Sequence, residues 1–173
     1  MDNSPFHRGE QQAQQRMGVR EEIEPWARQV IRPFLPDQHQ AFFAQLPYLI
    51  VARRDSEARP WVTMLTGMPG FVHAANPRQL AIAAQPVAGD ALATSMQPGA
   101  ELGLLGIELH TRRRNRANGR VATTADGSLK LDITQSFGNC PQHIHERNWS
   151  QVERTDAPWH RYTPRCWTHR CSA

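Results

Sequence analysis

The chain has little of what small secreted or membrane proteins depend on. Only three of its 173 residues are cysteine, Cys140, Cys166 and Cys171, too few for a disulfide framework in a chain of this length. Residues 1–15 are polar and hold no apolar signal core. No apolar run approaches the roughly 20 residues that a bilayer-spanning helix needs. These absences predict a cytoplasmic protein with no membrane partner. Apolar residues make up 39%, low for a compact domain, and the polar ones gather at the two ends. The length supports one sizeable core rather than two. No nucleophile-plus-base motif is present, and no nucleic-acid module accompanies the basic residues. The net charge of +4 is local, coming largely from one arginine stretch and the C-terminal tail. Such a cluster suits a phosphorylated small molecule better than a nucleic-acid track.

That stretch is Thr111-Arg112-Arg113-Arg114-Asn115-Arg116-Ala117-Asn118-Gly119-Arg120. Five arginines between Arg112 and Arg120 have no place in an apolar core, because a buried guanidinium needs a partner. An extended backbone would turn Arg112, Arg114 and Arg116 to one side and Arg113 and Asn115 to the other. A row of forked donors on a sheet is suited to a phosphate. The plainer reading is a solvated basic edge strand that resists sheet aggregation.

Along the chain, the glutamine-rich segment within residues 1–19 predicts disorder. Residues 20–33 have helical composition, with Ile23, Trp26, Val30 and Ile31 on one face; Pro25 places the helix start near Glu24. A second helix is expected from Pro36 to Gln45, with Phe42 and Phe43 turned inward, and Trp26 is read as core. Strands follow at Tyr48 to Arg53, Pro60 to Gly67, Phe71 to Ala74 and Gln79 to Ala83, the first two as an antiparallel hairpin. Gly89-Asp90 to Met96 predicts a short helix with Asp90 as N-cap. Further strands are Glu101 to Leu109, the arginine stretch, and Ser128 to Gln135, where Leu129, Leu131 and Ile133 face one side. Asp126-Gly127 signals a hairpin turn. The pattern implies an all-β barrel carrying a few helices.

Four segments together resemble the pyridoxamine 5′-phosphate oxidase-like family of FMN-binding split β-barrels. They are Phe6-His7-Arg8-Gly9-Glu10 with Gly18-Val19, Arg59-Pro60-Trp61-Val62-Thr63 with Gly67, Gly103 to Glu108 running into Thr111 to Arg116 with Asn118-Gly119, and Phe137-Gly138-Asn139-Cys140-Pro141-Gln142. The nearest subgroup is the bacterial one often joined to ferredoxin-reductase-type modules. The resemblance implies a mainly β fold with flanking helices, a six-stranded antiparallel split barrel of Greek-key type. It implies an N-terminal extension at 1–19, the FMN-binding domain at 20–148 as the first half of a longer architecture, and an irregular tail at 149–173. The tail's composition suggests truncation or a frame shift. The implied cofactor is FMN in a groove between two barrels of a homodimer. The implied cofactor-binding residues are Trp61 and Thr63 on the second strand, Arg112, Arg114 and Arg116 for the phosphate, and Asn139 and Gln142 near the ring or ribose. Arg114 is the first choice for the phosphate, five residues before Gly119. The implied activity passes electrons from NAD(P)H or a reductase partner to a small acceptor. The flavin supplies the redox chemistry, so no protein base is required.

Other constellations give less. Cys166-x2-His169-x-Cys171 has three ligands and no fourth nearby, so no metal site is expected. Cys140 has no adjacent base and reads as a turn cysteine. His143 and His145 alternate, as haem ligands would, and also as a solvated pair would. The rival readings are therefore a non-catalytic flavin- or haem-binding module, or a degenerate fragment without ligand.

Overall fold

The computed structural model describes residues 4–122 and 129–150. The Asp126-Gly127 turn and the Cys166 to Cys171 cluster lie outside the described residues. Three helices precede a mainly antiparallel sheet. The helices are α1 (Arg8–Arg16), α2 (Arg20–Val30) and α3 (Asp37–Ala44). The strands are β1 (Tyr48–Arg54), β2 (Pro60–Thr66), β3 (Val72–Asn76), β4 (Gln79–Ile82), β5 (Glu101–Glu108), β6 (Arg113–Val121) and β7 (Leu129–Gly138). Their order across the sheet is β2-β1-β5-β6-β7-β4-β3. A mainly antiparallel sheet of seven strands with three helices is consistent with the expected split-barrel class, with seven strands where six are expected. All seven coincide with strands predicted along the chain, and β3 forms an antiparallel hairpin with β4 from Val72↔Ile82 to Asn76↔Gln79.

Period-2 patterning builds the core face of the sheet. Leu49 and Val51 on β1, Leu65 on β2, Leu102 and Leu104 on β5, and Leu129, Leu131 and Ile133 on β7 all face the core. Phe42 and Phe43 of α3 are fully buried and cap that core. At each fully buried large side chain, removal from water contributes roughly 1.5–3 kcal/mol. Gly106 exists for this contact: a Cβ there would lie 2.5 Å from Leu46 Cδ1 and 2.7 Å from Phe42 Cε1. The link between α2 and α3 runs beside β7, where Arg32 and Ser136 exchange backbone hydrogen bonds of 3.0 and 2.7 Å.

Four local expectations change. The glutamine-rich segment is a helix, because His7 and Glu10 form a reciprocal capping box that satisfies its first amides. Helix α2 begins at Arg20, not near Glu24, and contains Pro25. The i,i+4 pairs Arg20–Glu24 (3.2 Å) and Arg28–Glu24 (2.7 Å) help offset the hydrogen bond that proline removes. Trp26 is 62% exposed rather than core, since α2 buries its small residue Ala27 instead. Residues 89–96 make turns and no helix. Asp90 Oδ1 accepts from Leu92 N at 2.7 Å, an Asx turn, while Leu92 drops into the core.

Candidate functional site

The outward face of β2-β1-β5-β6-β7 carries the site. Its register aligns Val62, Ala52, Gly103, Asn118 and Gln135 across five strands. Small residues in the middle of that row leave a hollow, and a cavity of ≈ 690 Å³ lies there. That volume is within the roughly 300–1,000 Å³ usual for cofactor sites. Trp61 and Pro60 wall it on one side, and Asn118 and Gln135 on the other. Asn118 Nδ2 donates to Gln135 Oε1 at 3.0 Å, so the two amides are held in one orientation.

One end of the hollow is basic. Arg53 and Arg54 end β1, and Arg120 stands near the end of β6; all three line the cavity. Arg120 Nη2 pairs with Glu101 Oε1 at 2.6 Å, but both side chains are more than half exposed. Such a pair is worth about 0–1 kcal/mol, so a stronger anion can displace the carboxylate. Arg54 makes no ion pair among the described residues. Arg53 Nη1 is buried with no hydrogen-bond partner among the described residues. A buried, unmatched charged donor is costly, and a ligand oxygen is the group that would relieve it.

Asp55 fixes the edge of this end. Its Oδ1 accepts from Glu57 N and Arg59 N, both at 2.9 Å, and its Oδ2 from Arg59 Nε and Trp61 Nε1, both at 2.8 Å. Desolvation works against the charge, yet the bonds from Trp61, Arg59 and Glu57 hold the carboxyl well below the usual carboxylate range. The hairpin turn therefore orients the Trp61 indole beside the cavity.

The residues expected from the sequence scatter. Trp61 lines the hollow. Thr63 does not: it is buried on the core side, where its hydroxyl donates to Asp90 Oδ2. Arg112 is off the strand, in a turn with φ of 61°, so it breaks the expected row of three. Arg114 and Arg116 do share the outward face, opposite buried Asn115. Arg114 Nη2 donates to the Cys140 carbonyl at 2.6 Å, and its Nε is buried without a partner among the described residues. Arg113 turns inward, its guanidinium 5.1 Å from the Phe42 ring centre. Asn139 N donates to Arg114 O at 2.9 Å, and Gln142 is exposed. None of Arg112, Arg114, Arg116, Asn139 and Gln142 lines the hollow. His143 and His145 are exposed and do not line it either.

Sequence reasoning missed Arg53, Arg54 and Arg120 as a group. The adjacent pair Arg53-Arg54 at a strand end, just before a turn, was the available signal. What joins it to Arg120 is the insertion of β5 between β1 and β6.

Across the same face runs an apolar band. Val62 is 66% and Met64 54% exposed, and Ile50, Leu105, Ile107 and Phe137 are half-buried beside them. Among the described residues no helix is long and apolar enough to cross a membrane, and no cluster of three or more metal-ligating side chains occurs.

No protein-family model matches the chain, and no curated protein matches it in sequence. Among solved structures, tagged HupZ of Group A Streptococcus is similar at a TM-score of 0.47 and 9% identity, over 66% of this chain and 100% of that one. A point variant of the same protein is similar at a TM-score of 0.47 and 8% identity, over 61% of this chain and 99% of that one.

Proposed function

We propose that the chain is an FMN-binding domain of oxidoreductase type, similar to the pyridoxamine 5′-phosphate oxidase-like split barrels. The observation that carries this reading is the coincidence of a cofactor-sized hollow with an arginine group at one end, one of whose buried nitrogens lacks an acceptor. The donor set fits the cofactor. Arg53, Arg54 and Arg120 supply charge-assisted donors for a phosphate. Trp61 gives a flat apolar wall for a ring, and the Asn118 and Gln135 amides give hydrogen bonds to its polar edge. When bound, the flavin supplies hydride and electron chemistry; the protein's own residues bind it, orient it and limit water.

The hollow is open on one side, and the apolar band beside it is the natural seat for a second copy of the chain. A homodimer would both cover Val62 and Met64 and wall the cofactor in. NAD(P)H or a reductase partner would deliver electrons to the ring. The test is a flavin titration of the purified protein, read by fluorescence quenching and by the visible spectrum, with mass measured in solution. Saturable quenching by FMN supports the reading. A colourless protein that leaves FMN fluorescence unchanged overturns it.

A further inference from the structure

A second cavity, ≈ 510 Å³, adjoins the first. It shares Arg53, Arg54, Glu101 and Arg120 with the hollow and extends beyond them to Ser56 and Ala100. The basic group is thus a ridge between two spaces rather than the end of one. A mononucleotide has no use for the far side, because it ends at its phosphate.

The charge on the far side is positive once internal pairs are counted. Asp55 lines this cavity, but three donors from its own turn and the Trp61 indole of β2 saturate its carboxylate. Glu101 is engaged by Arg120. Arg53 and Arg54 remain without a carboxylate among the described residues. With Arg120 held by Glu101, these two guanidinium groups of Arg53 and Arg54, set between two cavities, match a linker with two anionic phosphates better than a single terminal phosphate.

We propose that the site takes a flavin dinucleotide, FAD, with its diphosphate across the Arg53, Arg54 and Arg120 ridge and its adenosine half in the second cavity. The proposal rests on the flavin reading above and extends it to the adenylate half. Ser56 is exposed in the β1–β2 turn and lines the second cavity but not the first, so it reports on this half alone.

The experiment is a parallel titration of the full chain with FMN and FAD, for wild type, Ser56→Glu and Ser56→Arg. In wild type FAD should bind at least about tenfold more tightly than FMN, the gain expected from one further charge-assisted contact. Ser56→Glu should remove that advantage, Ser56→Arg should keep or widen it, and neither should move FMN affinity. FAD binding no tighter than FMN overturns the proposal while leaving the flavin reading intact, as does an advantage that survives Ser56→Glu. If neither flavin binds, the flavin reading itself falls and takes the proposal with it.

Discussion

Replacing Arg53 with Met should make the ligand-free protein more stable and the flavin complex weaker. Arg53 Nη1 is buried with no acceptor among the described residues. Leaving such a donor unmatched costs about 1–3 kcal/mol, and methionine keeps the stem's volume without the donor. The gain in unfolding free energy should be about 1 kcal/mol, or roughly 3 °C in Tm for a fold of this size. Binding should move the other way. A charged hydrogen bond contributes about 1.5–3 kcal/mol, so FMN affinity should fall by roughly 10- to 150-fold. Urea unfolding without flavin gives the first quantity, and fluorescence-quenching titration gives the second. Opposite signs identify a residue held in readiness for a ligand at a cost to the fold. A variant that is less stable, yet binds FMN as wild type does, would show that Arg53 serves packing alone, and the site assignment would fail.

Other consequences are open to simpler measurements. Gly106→Ala should destabilise by about 1–3 kcal/mol in urea unfolding, because the new methyl meets Leu46 and Phe42, both already buried; an unchanged midpoint would mean that α3 is not seated on β5 as described. Arg114→Ala should leave FMN affinity within about threefold of wild type, since its guanidinium is engaged by the Cys140 carbonyl. A tenfold loss would return Arg114 to the phosphate. Stability should also depend on pH through His39, which is buried beside Ser136 Oγ at 3.4 Å. Burial, with the charges of Arg113 and Arg32, lowers its pKa from 6.5. Below that value the unfolded chain binds the proton more readily than the folded one, so stability should be greatest above pH 6.5 and decline as pH falls. His39→Gln should flatten this slope between pH 8 and 5, read from urea midpoints; an equal slope would assign the effect to other groups.

Much of the scaffold is written locally. Alternation at Leu129, Leu131 and Ile133 fixes which side of β7 is core, and it does so without reference to any partner strand. The same rule turns Arg114 and Arg116 outward and Asn115 inward. Phe42 and Phe43 are large and apolar enough to be buried wherever α3 lands. Where local signals compete, the sequence is ambiguous. Trp26 and Ala27 both sit on α2, and only the closeness of α2 to β7 decides that the small residue is buried. Asp90 can start a helix or close a turn, and the demand of Leu92 for the core settles it.

The candidate site belongs to the second kind. The sequence by itself determined a β-rich chain, its inward and outward faces, and an excess of guanidinium groups with no place in the core. It did not determine which of them act together, since a single strand orients its own side chains but carries no record of its neighbours. Arg53 and Arg54 meet Arg120 only because β5 lies between β1 and β6 with Ala52 opposite Gly103 and Gly103 opposite Asn118. Tertiary pairing alone makes that hollow, and it alone moves the arginines at the strand ends, rather than those in the conspicuous run, to its edge.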